Sequence, residues 1–457
     1  MKEMRVFNKN EELQGTVVDL TSQGAGVVKV EDYPFFIESV IPGEEIIFNI
    51  TKAGKKFGYG RLQKIIVESP DRVEITDPVG RQVGTMILQH MSYPAQLAYK
   101  QSVVKQAFQR IGHFTDAEVK PTLGMENPWE YRNKAQIPVR SIRGQLETGF
   151  FRRNSHDLVP VENFYIQHPE IDQVIVKVRD ILRKEGVQPY DERTNRGVIR
   201  HIIVKRGHYT GELMIILVIN QKRLEKQEFI VDKIKEHLSN VVSIVQNINT
   251  KQTNVILGSE NKVLWGKDFI EDNMLGMTFR ISPNSFYQVN TPQAEVLYQT
   301  AIDAAGLTGK ETVLDAYSGI GTLSLALAKH AKNLYAMEIV AEAIEMAEQN
   351  AELNSVENVI FEVGKAEEWL PRWNDLGVNF DVVVVDPPRK GLEENFVTAV
   401  IEQAPEKIVY VSCNPATCAR DCELFSQAGY ELKFVQPVDM FGQTPHVEVV
   451  ALLEKSN

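Results

Sequence analysis

The stretch Asp386-Pro387-Pro388-Arg389-Lys390-Gly391 follows the run 380–385, which is apolar apart from Asp381. A second stretch, Ser412-Cys413-Asn414-Pro415, follows the apolar run 407–411. Each run has the composition of a buried parallel strand, and each polar stretch begins where that strand should end. Both stretches should therefore project from one edge of a parallel sheet, the edge at which open α/β sheets bind ligands. The sequence predicts a site for chemistry on a bound substrate there.

The C-terminal part of the chain, from about residue 282, alternates between strand-like and helix-like segments. The strand-like runs are 312–316, 334–338 and 359–363, and the helix-like runs are 323–330 and 341–353. This alternation predicts a doubly wound α/β domain. The last two strand-like runs, 431–438 and 447–453, have no helix between them and should form a closing antiparallel hairpin.

Residues from about 10 to 67 contain five short β-rich runs separated by glycine-bearing turns. This pattern predicts a small β-barrel. The basic, aromatic stretch 52–59 is what a barrel of the oligonucleotide-binding type presents to nucleic acid. An ordinary β-domain with solvated lysines fits the composition equally well.

The middle of the chain begins with an amphipathic helix over 93–111, whose predicted apolar face is Leu97, Val104, Ala107, Phe108 and Ile111. Further helices are predicted at 170–184 and 225–237, with a β-hairpin formed by 198–205 and 212–219. Cationic and aromatic side chains alternate at 131–134 and 150–153, including Arg132 and Lys134. Such residues suit phosphate contacts and base stacking. The alternative is the solvated edge of a hairpin.

Composition indicates a globular protein of two or three domains, with 457 residues, a formal charge of -11 and three cysteines. The negative charge argues against a general polyanion binder but leaves room for a local basic face. The cysteines lie close together and form no disulfide framework, which fits a reducing compartment. No apolar run is long enough to cross a bilayer, and Met1–Arg5 lacks the apolar region of a signal peptide. We expect a cytoplasmic protein without a membrane partner.

The turn 315–321 joins the first strand of the α/β domain to a helix, and Gly319 and Gly321 would let the backbone approach a ligand. Glu338 ends the second strand, where a carboxylate can bind both ribose hydroxyls of a nucleoside cofactor. The turn lacks the third glycine of the dinucleotide fingerprint, which favours S-adenosylmethionine over NAD. The alternative for Glu338 is a solvated acid at a strand end.

The turn after Asp386 is stiff, because each proline fixes its own backbone and restricts the residue before it. Arg389 stands where methyltransferases of exocyclic amino groups usually carry an aromatic residue, which argues against an amino-nitrogen acceptor. Cys413, at a strand end near a helix start, is a candidate nucleophile. Glu448, in an alternating apolar strand, is a candidate general base or an ordinary strand-edge glutamate.

Cys418 and Cys422 should pack within a helix, because their spacing does not match a structural zinc site. No metal site is expected.

These motifs, together with 285–290 and 446–448, closely resemble the uracil-C5 RNA methyltransferases that make 5-methyluridine in rRNA and tRNA. The N-terminal unit resembles a TRAM domain, and the resemblance covers nearly the whole chain. It implies a Rossmann-like methyltransferase domain with Cys413 as nucleophile and Glu448 as base. It also implies S-adenosylmethionine contacts from the turn and strand ends and from the segment before the first helix: Gln288, Tyr317, Gly319, Glu338 and Asp386. RNA contacts are assigned to Arg132, Lys134 and Arg389.

The resemblance suggests three units: a TRAM-like RNA-binding barrel at 1–67, a central α+β RNA-binding domain at 68–284, and the methyltransferase domain at 285–457. In the family, the helix near 93–112 tends to pack on the catalytic domain. Many rRNA-directed relatives bind an iron–sulfur cluster through four cysteines. The corresponding positions here are Asp77, Val83, Met86 and Phe164, which supply no thiolate. We expect no cluster, with apolar packing by the last three in its place.

The three units favour a large structured RNA, and 23S rRNA is the preferred substrate, with tRNA as an alternative. Methylation of cytosine and a non-catalytic RNA-binding assembly factor are further alternatives. The intact set of Gln288, Asp386, Cys413 and Glu448 argues against the assembly factor. A monomer is expected.

Overall fold

The structure, a computed structural model, describes residues 6–456, so the expectation about Met1–Arg5 lies outside the described residues. The N-terminal region is a closed barrel in the strand order β1-β2-β3-β5-β4. Its strands are β1 (Glu12–Leu20), β2 (Gly26–Val30), β3 (Tyr33–Ile37), β4 (Glu45–Ala53) and β5 (Gly58–Val67). Alternate apolar side chains such as Val28, Phe35 and Phe48 fill its interior. The predicted barrel is confirmed.

Two helices follow the barrel, α1 (Pro78–Val83) and α2 (Tyr93–Arg110). Ser92 caps α2, its hydroxyl accepting a hydrogen bond from the backbone N–H of Ala95 at 3.4 Å. Val104 and Phe108 lie on the buried face, as predicted, whereas Ile111 is 41% exposed. The prediction for Ile111 was wrong because this residue follows Arg110, the last helical residue, as the C-cap, and its side chain is not covered at the helix end. Within residues 6–456, no helix is both long and apolar enough to span a bilayer.

The middle of the chain forms a seven-stranded sheet in the order β12-β11-β10-β9-β6-β7-β8. Its elements are β6 (Lys134–Ile142), β7 (Gln145–Phe151), β8 (Leu158–Pro160), α3 (Pro169–Lys184), β9 (Ile199–Arg206), β10 (Leu213–Ile219), α4 (Gln227–His237), β11 (Val241–Ile248) and β12 (Glu260–Gly266). Strands β9 and β10 pair antiparallel, which confirms the predicted hairpin. Helices α3 and α4 bury their apolar faces against one side of this sheet.

The C-terminal part is a second seven-stranded sheet in the order β17-β16-β15-β18-β19-β21-β20. A hairpin and a helix precede it: β13 (Ile270–Met274), β14 (Met277–Ile281) and α5 (Thr291–Ala305). The remaining elements are β15 (Thr312–Asp315), α6 (Thr322–Ala328), β16 (Asn333–Glu338), α7 (Ala341–Leu353), β17 (Val359–Val363), α8 (Ala366–Asp375), β18 (Val382–Val385), α9 (Glu394–Gln403), β19 (Lys407–Ser412), α10 (Pro415–Gln427), β20 (Tyr430–Val438) and β21 (Glu448–Lys455). Strands β15 to β19 are parallel, and β21 pairs antiparallel with β19 and β20. The doubly wound sheet and its closing hairpin are as predicted.

Several segments of the predicted central span 68–284 pack against this C-terminal sheet. Helix α2 lies against α10, and the segment near Val119 and Leu123 runs beside β20. The β13–β14 hairpin shares an apolar core with α5 and the strands of the C-terminal sheet. Segments that precede residue 285 in the chain therefore pack on the C-terminal sheet, because this sheet offers the apolar surface that covers their apolar faces. The division at 67/68 and 284/285 stays a prediction.

Candidate active site

Four polar side chains lie at one edge of the C-terminal sheet. Asp315 and Glu338 end β15 and β16, while Asp386 and Cys413 directly follow β18 and β19. Because these strands are parallel and adjacent in the order β16-β15-β18-β19, their carboxyl ends meet along the same edge. The geometry brings together the predicted cofactor acids and the predicted nucleophile.

Strand β21 adds Glu448 to this edge because it runs in the opposite direction. Ser412 of β19 pairs with Val449 of β21. Because the strands are antiparallel, Cys413, which follows Ser412, lies opposite Glu448, which precedes Val449. The side chain of Glu448 is buried, with 5% of the residue exposed, whereas Cys413 is half-buried. A thiol open to the site therefore stands beside a carboxyl group enclosed by the strands.

Burial and like charge raise the pKa values of the acidic groups at this edge. Burial first, and repulsion from Asp386 second, raise the pKa of Glu448 to about 8. Burial and the neighbouring Asp315 raise the pKa of Asp386 to about 7. The pKa of the Cys413 thiol is also raised, by burial and by the two carboxylates, and Arg389 opposes that shift. Such a cluster of perturbed acids is typical of functional sites.

The loop that carries Arg389 is held by the first turns of α10. The side-chain amide of Asn414 donates to the carbonyl of Arg389 at 2.9 Å, and the backbone N–H of Leu392 donates to Asp421 at 2.8 Å. Gly391 has a φ of +81°, and a Cβ there would lie 2.6 Å from an Asp421 carboxylate oxygen. Glycine is therefore required at this position, and the loop cannot move away from α10 without breaking these bonds.

The turn between β15 and α6 provides an open backbone surface. Gly319 and Gly321 have φ values of +53° and +87°, and a Cβ on Gly319 would meet nothing within 4 Å. Asp315 fixes the turn by accepting hydrogen bonds from the Ser324 hydroxyl at 2.6 Å and the Tyr317 N–H at 3.2 Å. The backbone can thus approach a ligand closely.

The polar groups beside this turn suit a nucleoside ligand. The buried hydroxyl of Ser318 has no hydrogen-bond partner within residues 6–456. Glu338 lies at the next strand end, followed by Ile339, whose side chain is 68% exposed. An acceptor for hydroxyl groups next to an exposed apolar side chain fits a ribose joined to a planar base. The ring of Tyr317, in contrast, meets Phe396 at a centroid distance of 5.9 Å and packs partly into the core.

Gln288 reaches this region from the segment before α5. The residue is buried, and its side-chain amide lies 3.5 Å from the hydroxyl of Tyr298. Its backbone carbonyl accepts a hydrogen bond from the Asn133 side chain at 2.9 Å. Asn133 stands inside the stretch 131–134, which is predicted to bind RNA, but its side chain is buried and ties the middle sheet to the Gln288 segment.

A buried lysine supports the same segment. The ammonium group of Lys205, on β9, donates to the carbonyls of Ser282 and Ser285 at 2.7 and 2.8 Å. Sequence reasoning missed this residue, because a lysine in a strand leaves no local sign of a partner almost eighty residues away.

Three predicted RNA-binding cations line one cavity of about 530 Å³. Arg132 and Lys134 come from the middle of the chain, and Arg389 comes from the loop after β18. Burial lowers the pKa values of Arg132 and Lys134. No carboxylate within residues 6–456 forms a salt bridge with any of the three. Cations that form no salt bridge within the protein remain available to bind phosphate groups.

The remaining two basic residues of the predicted RNA stretch differ from each other. Both are exposed, but Arg153 also lines the cavity and forms an ion pair with Glu38, next to β3 of the barrel. Arg153 therefore joins two parts of the protein, a role that its position in a basic stretch did not indicate.

Three of the four positions that the resemblance assigns to cluster ligands pack together. Val83, Met86 and Phe164 lie in one apolar cluster, and each is at most 8% exposed. Asp77 caps α1, its side chain accepting a hydrogen bond from the backbone N–H of Val79 at 2.8 Å. The predicted apolar packing of these three residues is confirmed. The absence of a cluster stays a prediction.

The loop before Glu448 is held by buried groups that sequence reasoning missed. The ammonium group of Lys100, on α2, lies 2.5 Å from an Asp439 carboxylate oxygen, and neither side chain is exposed. Lys100 also donates to the carbonyl of Phe441 at 3.0 Å, and Gln96 donates to the side chain of Gln443 at 2.9 Å. Helix α2 therefore fixes the approach to the site.

Comparison with known proteins gives a consistent result. A family model described as tRNA (Uracil-5-)-methyltransferase matches residues 92–456. A protein of Enterococcus faecalis named as an uncharacterized RNA methyltransferase is 52% identical over 448 residues, 98% of each chain, and one of Lactiplantibacillus plantarum is 51% identical over 456 residues, all of both chains. Among solved structures, the tRNA (uracil-54, C5)-methyltransferase of Pyrococcus abyssi, in complex with S-adenosyl-L-homocysteine, is 29% identical with a TM-score of 0.77, covering 96% of this chain and 100% of that one.

Proposed function

Since the chain belongs to the tRNA (uracil-5-)-methyltransferase family, we propose that it transfers a methyl group from S-adenosylmethionine to C5 of a uridine in RNA, through a covalent bond between Cys413 and C6. The observation that supports this proposal most strongly is the pairing of β19 with β21, which sets Cys413 beside the buried Glu448. A nucleophile and a base at adjacent positions are what the reaction needs.

The cofactor would lie at the carboxyl edge of the sheet. Glu338 would accept hydrogen bonds from the ribose hydroxyls, and the exposed Ile339 would contact the adenine. Gly319 would let the backbone approach, and Gln288 and Asp386 would bind the amino acid part. When bound, S-adenosylmethionine supplies an electrophilic methyl group. The S-adenosyl-L-homocysteine complex of the Pyrococcus abyssi relative supports S-adenosylmethionine as the cofactor.

The protein's own residues would make uracil reactive. Uracil C5 is a poor nucleophile, but attack of the Cys413 thiolate on C6 moves the C5–C6 electron pair towards C4 and O4 and forms an enolate. After C5 is methylated, Glu448 would remove the C5 proton, C5=C6 would re-form, and the thiolate would leave. Glu448 must be ionised to accept that proton, so the competent fraction rises with pH through about 8.

The RNA would enter through the cationic cavity. Arg132, Lys134 and Arg389 would bind backbone phosphates while the target uridine is turned out of its stack. The proposed substrate is 23S rRNA, because a cleft formed by the barrel, the middle sheet and the C-terminal sheet suits a large structured RNA. A second candidate is tRNA, since the Pyrococcus abyssi tRNA enzyme aligns with 96% of this chain.

The test compares the protein–RNA adduct that accumulates in a variant without the Glu448 carboxylate with that in a variant that also lacks the Cys413 thiol. Glu448→Gln, incubated with S-adenosylmethionine and total RNA from cells lacking the gene, should form a protein–RNA adduct that is stable in denaturing gels. The additional change Cys413→Ala should eliminate this adduct. Glu454→Gln, on the same strand, is the matched control and should turn over normally. Equal adduct in the double variant would exclude Cys413 as the nucleophile.

Nucleoside mass spectrometry of the rRNA and tRNA fractions then identifies the substrate. Wild-type protein should restore 5-methyluridine in 23S rRNA. Restoration in tRNA alone would favour the second candidate. Binding of RNA without any new methylated nucleoside would indicate an assembly factor, and 5-methylcytidine would indicate a cytosine enzyme.

A further inference from the structure

His446 is a polar side chain at the site that the proposed reaction does not yet use. It lies two residues before Glu448 and lines the same cavity as Arg389. Its backbone N–H donates to the hydroxyl of Thr444 at 3.3 Å, and its ring meets Phe441 edge-on at a centroid distance of 6.2 Å. These contacts fix the position of a ring whose surface is open to the cavity.

The neighbouring arginine determines which ring nitrogen carries the proton. A guanidinium nitrogen of Arg389 lies 3.3 Å from Nδ1 of His446. Because a guanidinium can only donate, Nδ1 is the acceptor and carries no proton. Surrounding protein atoms, together with Arg389, Lys100 and Arg132, lower the pKa of His446, so the ring is neutral at physiological pH. A neutral ring with an unprotonated Nδ1 carries its proton on Nε2.

Nε2 of His446 is therefore a hydrogen-bond donor with a defined tautomer. Within residues 6–456 no protein acceptor binds it. Arg389 lines the same cavity, and its charge acts on both Cys413 and Glu448, the proposed nucleophile and base. A donor without a protein partner on this wall is placed to bind an acceptor atom of the substrate.

We propose that His446 donates a hydrogen bond from Nε2 to O4 of the target uracil, with Arg389 beside it, and thereby selects uridine over cytidine. This inference rests on the proposed function. Glu448 must lie next to C5 to remove its proton, and the ring atom bonded to C5 on the side away from C6 is C4. In this proposal the Nε2 donor lies on the C4 side of the ring, next to Glu448, where it meets O4, whereas O2 lies across the ring.

The chemistry of the first step explains why a donor is needed there. When the sulfur–C6 bond forms, the C5–C6 π bond breaks and negative charge develops on O4 as C4=O4 becomes an enolate. A fixed N–H donor and a nearby guanidinium stabilise that charge as it develops. Cytosine carries an amino group at the same position, so Nε2–H would face another donor. A polar site that leaves a group unpaired discriminates strongly against the wrong ligand.

The test removes the donor from the protein and the acceptor from the RNA. The probe is a transcript of the region in which wild-type protein forms 5-methyluridine, with uridine, cytidine or 2-pyrimidinone ribonucleoside, which lacks O4, at the target. His446→Leu should lower kcat/KM for uridine by about 10–100-fold, with unchanged affinity for S-adenosylmethionine. Its preference for uridine over cytidine should fall. His446→Gln, which keeps an N–H donor, should retain more activity than His446→Leu.

The decisive comparison is the loss caused by removing O4. When uridine is replaced by 2-pyrimidinone ribonucleoside, kcat/KM should fall by a larger factor for wild-type protein than for His446→Leu, because only the wild type has the hydrogen bond to lose. Should His446→Leu fail to bind S-adenosylmethionine, His446→Phe replaces it, since phenylalanine keeps the packing against Phe441. His113→Leu, at a 71% exposed side chain, is the control and should behave as wild type.

If removal of O4 lowers kcat/KM by the same factor in wild type and in the Leu or Phe variant, the proposed role of His446 is overturned. The role is also overturned if that variant methylates uridine with the same kcat/KM as wild type. Both results leave the proposed function intact, because the wild type is active in them. If wild-type protein forms no 5-methyluridine in any RNA, the proposed function fails, and the assignment of His446 fails with it.

Discussion

Glu448→Gln is expected to stabilise the protein at alkaline pH although it removes the proposed base. Burial raises the pKa of Glu448 from its ordinary value of 4.5 to about 8, so the folded state holds this proton more tightly than the unfolded state. Between these two pH values the folded state binds more protons, and the free energy of unfolding falls as pH rises. The difference of about 3.5 pH units corresponds to roughly 5 kcal/mol, an upper value because structural relaxation lets water reach the ionised carboxylate. Glutamine stays neutral and avoids this cost.

The assay is urea denaturation of wild type and Glu448→Gln from pH 5 to pH 9. The two free energies of unfolding should be similar near pH 5, and the variant should become more stable by about 2–5 kcal/mol at pH 9. Glu454→Gln is the matched control on β21, where the glutamate side chain is 36% exposed, and its difference from wild type should stay within about 0.5 kcal/mol. A difference between Glu448→Gln and wild type that does not change with pH would refute the raised pKa.

Arg389→Gln should move the pH profile of Cys413 alkylation by iodoacetamide to higher pH, since Arg389 opposes the raised pKa of this thiol. Cys418 and Cys422 are fully buried, so alkylation of the folded protein reports on Cys413 alone. An unchanged profile would argue against an interaction between Arg389 and Cys413. Lys100→Met should lower the free energy of unfolding in urea by about 3–5 kcal/mol because it leaves the Asp439 carboxylate buried without its partner. Lys105→Met, on the exposed face of the same helix, should change it little, and equal effects of both variants would contradict the buried pair. Replacing Arg132, Lys134, Arg152 and Arg153 by glutamine should weaken RNA binding while binding of S-adenosylmethionine is retained. The slope of log K against log salt concentration should become shallower by about 0.7–0.9 for each phosphate group that the protein no longer neutralises. An unchanged slope would assign these residues to structure.

The α/β sheet could be predicted because its signals are local. A short apolar run followed by polar residues indicates a buried strand, and the predicted bounds of α7 and β17 agree with the structure. The β13–β14 hairpin was missed because its turn has Leu275 and Gly276 at positive φ, and leucine is rare in that conformation. Helix α5 was also missed, although Asn290 as cap, Pro292 in the first turn and Gly306 after the last turn would have indicated it.

The site was predicted less completely than the sheet, for a physical reason. Strand ends could be assigned from sequence, and the parallel order of the strands then brings Glu338, Asp386 and Cys413 to one edge. The groups that hold this edge are distant in sequence, such as Lys100 with Asp439 and Lys205 with Ser282. A buried lysine that bonds to a distant carbonyl or carboxylate resembles a solvated lysine in sequence, since only the folded chain removes it from water.

The charges at the site also explain why a lone cysteine motif is insufficient for this chemistry. Cys413 stands beside two carboxyl groups that raise its pKa, so Glu448, the proposed acceptor of the C5 proton, also makes thiolate formation harder. Arg389 is the cation that opposes this effect, and its guanidinium also donates to His446. The same cation therefore favours the thiolate before attack on C6 and fixes the donor that would meet the developing enolate. In the proposed reaction, one side chain would couple activation of the nucleophile to recognition of uracil, and the loop that carries Arg389 is tied to α10 by several hydrogen bonds.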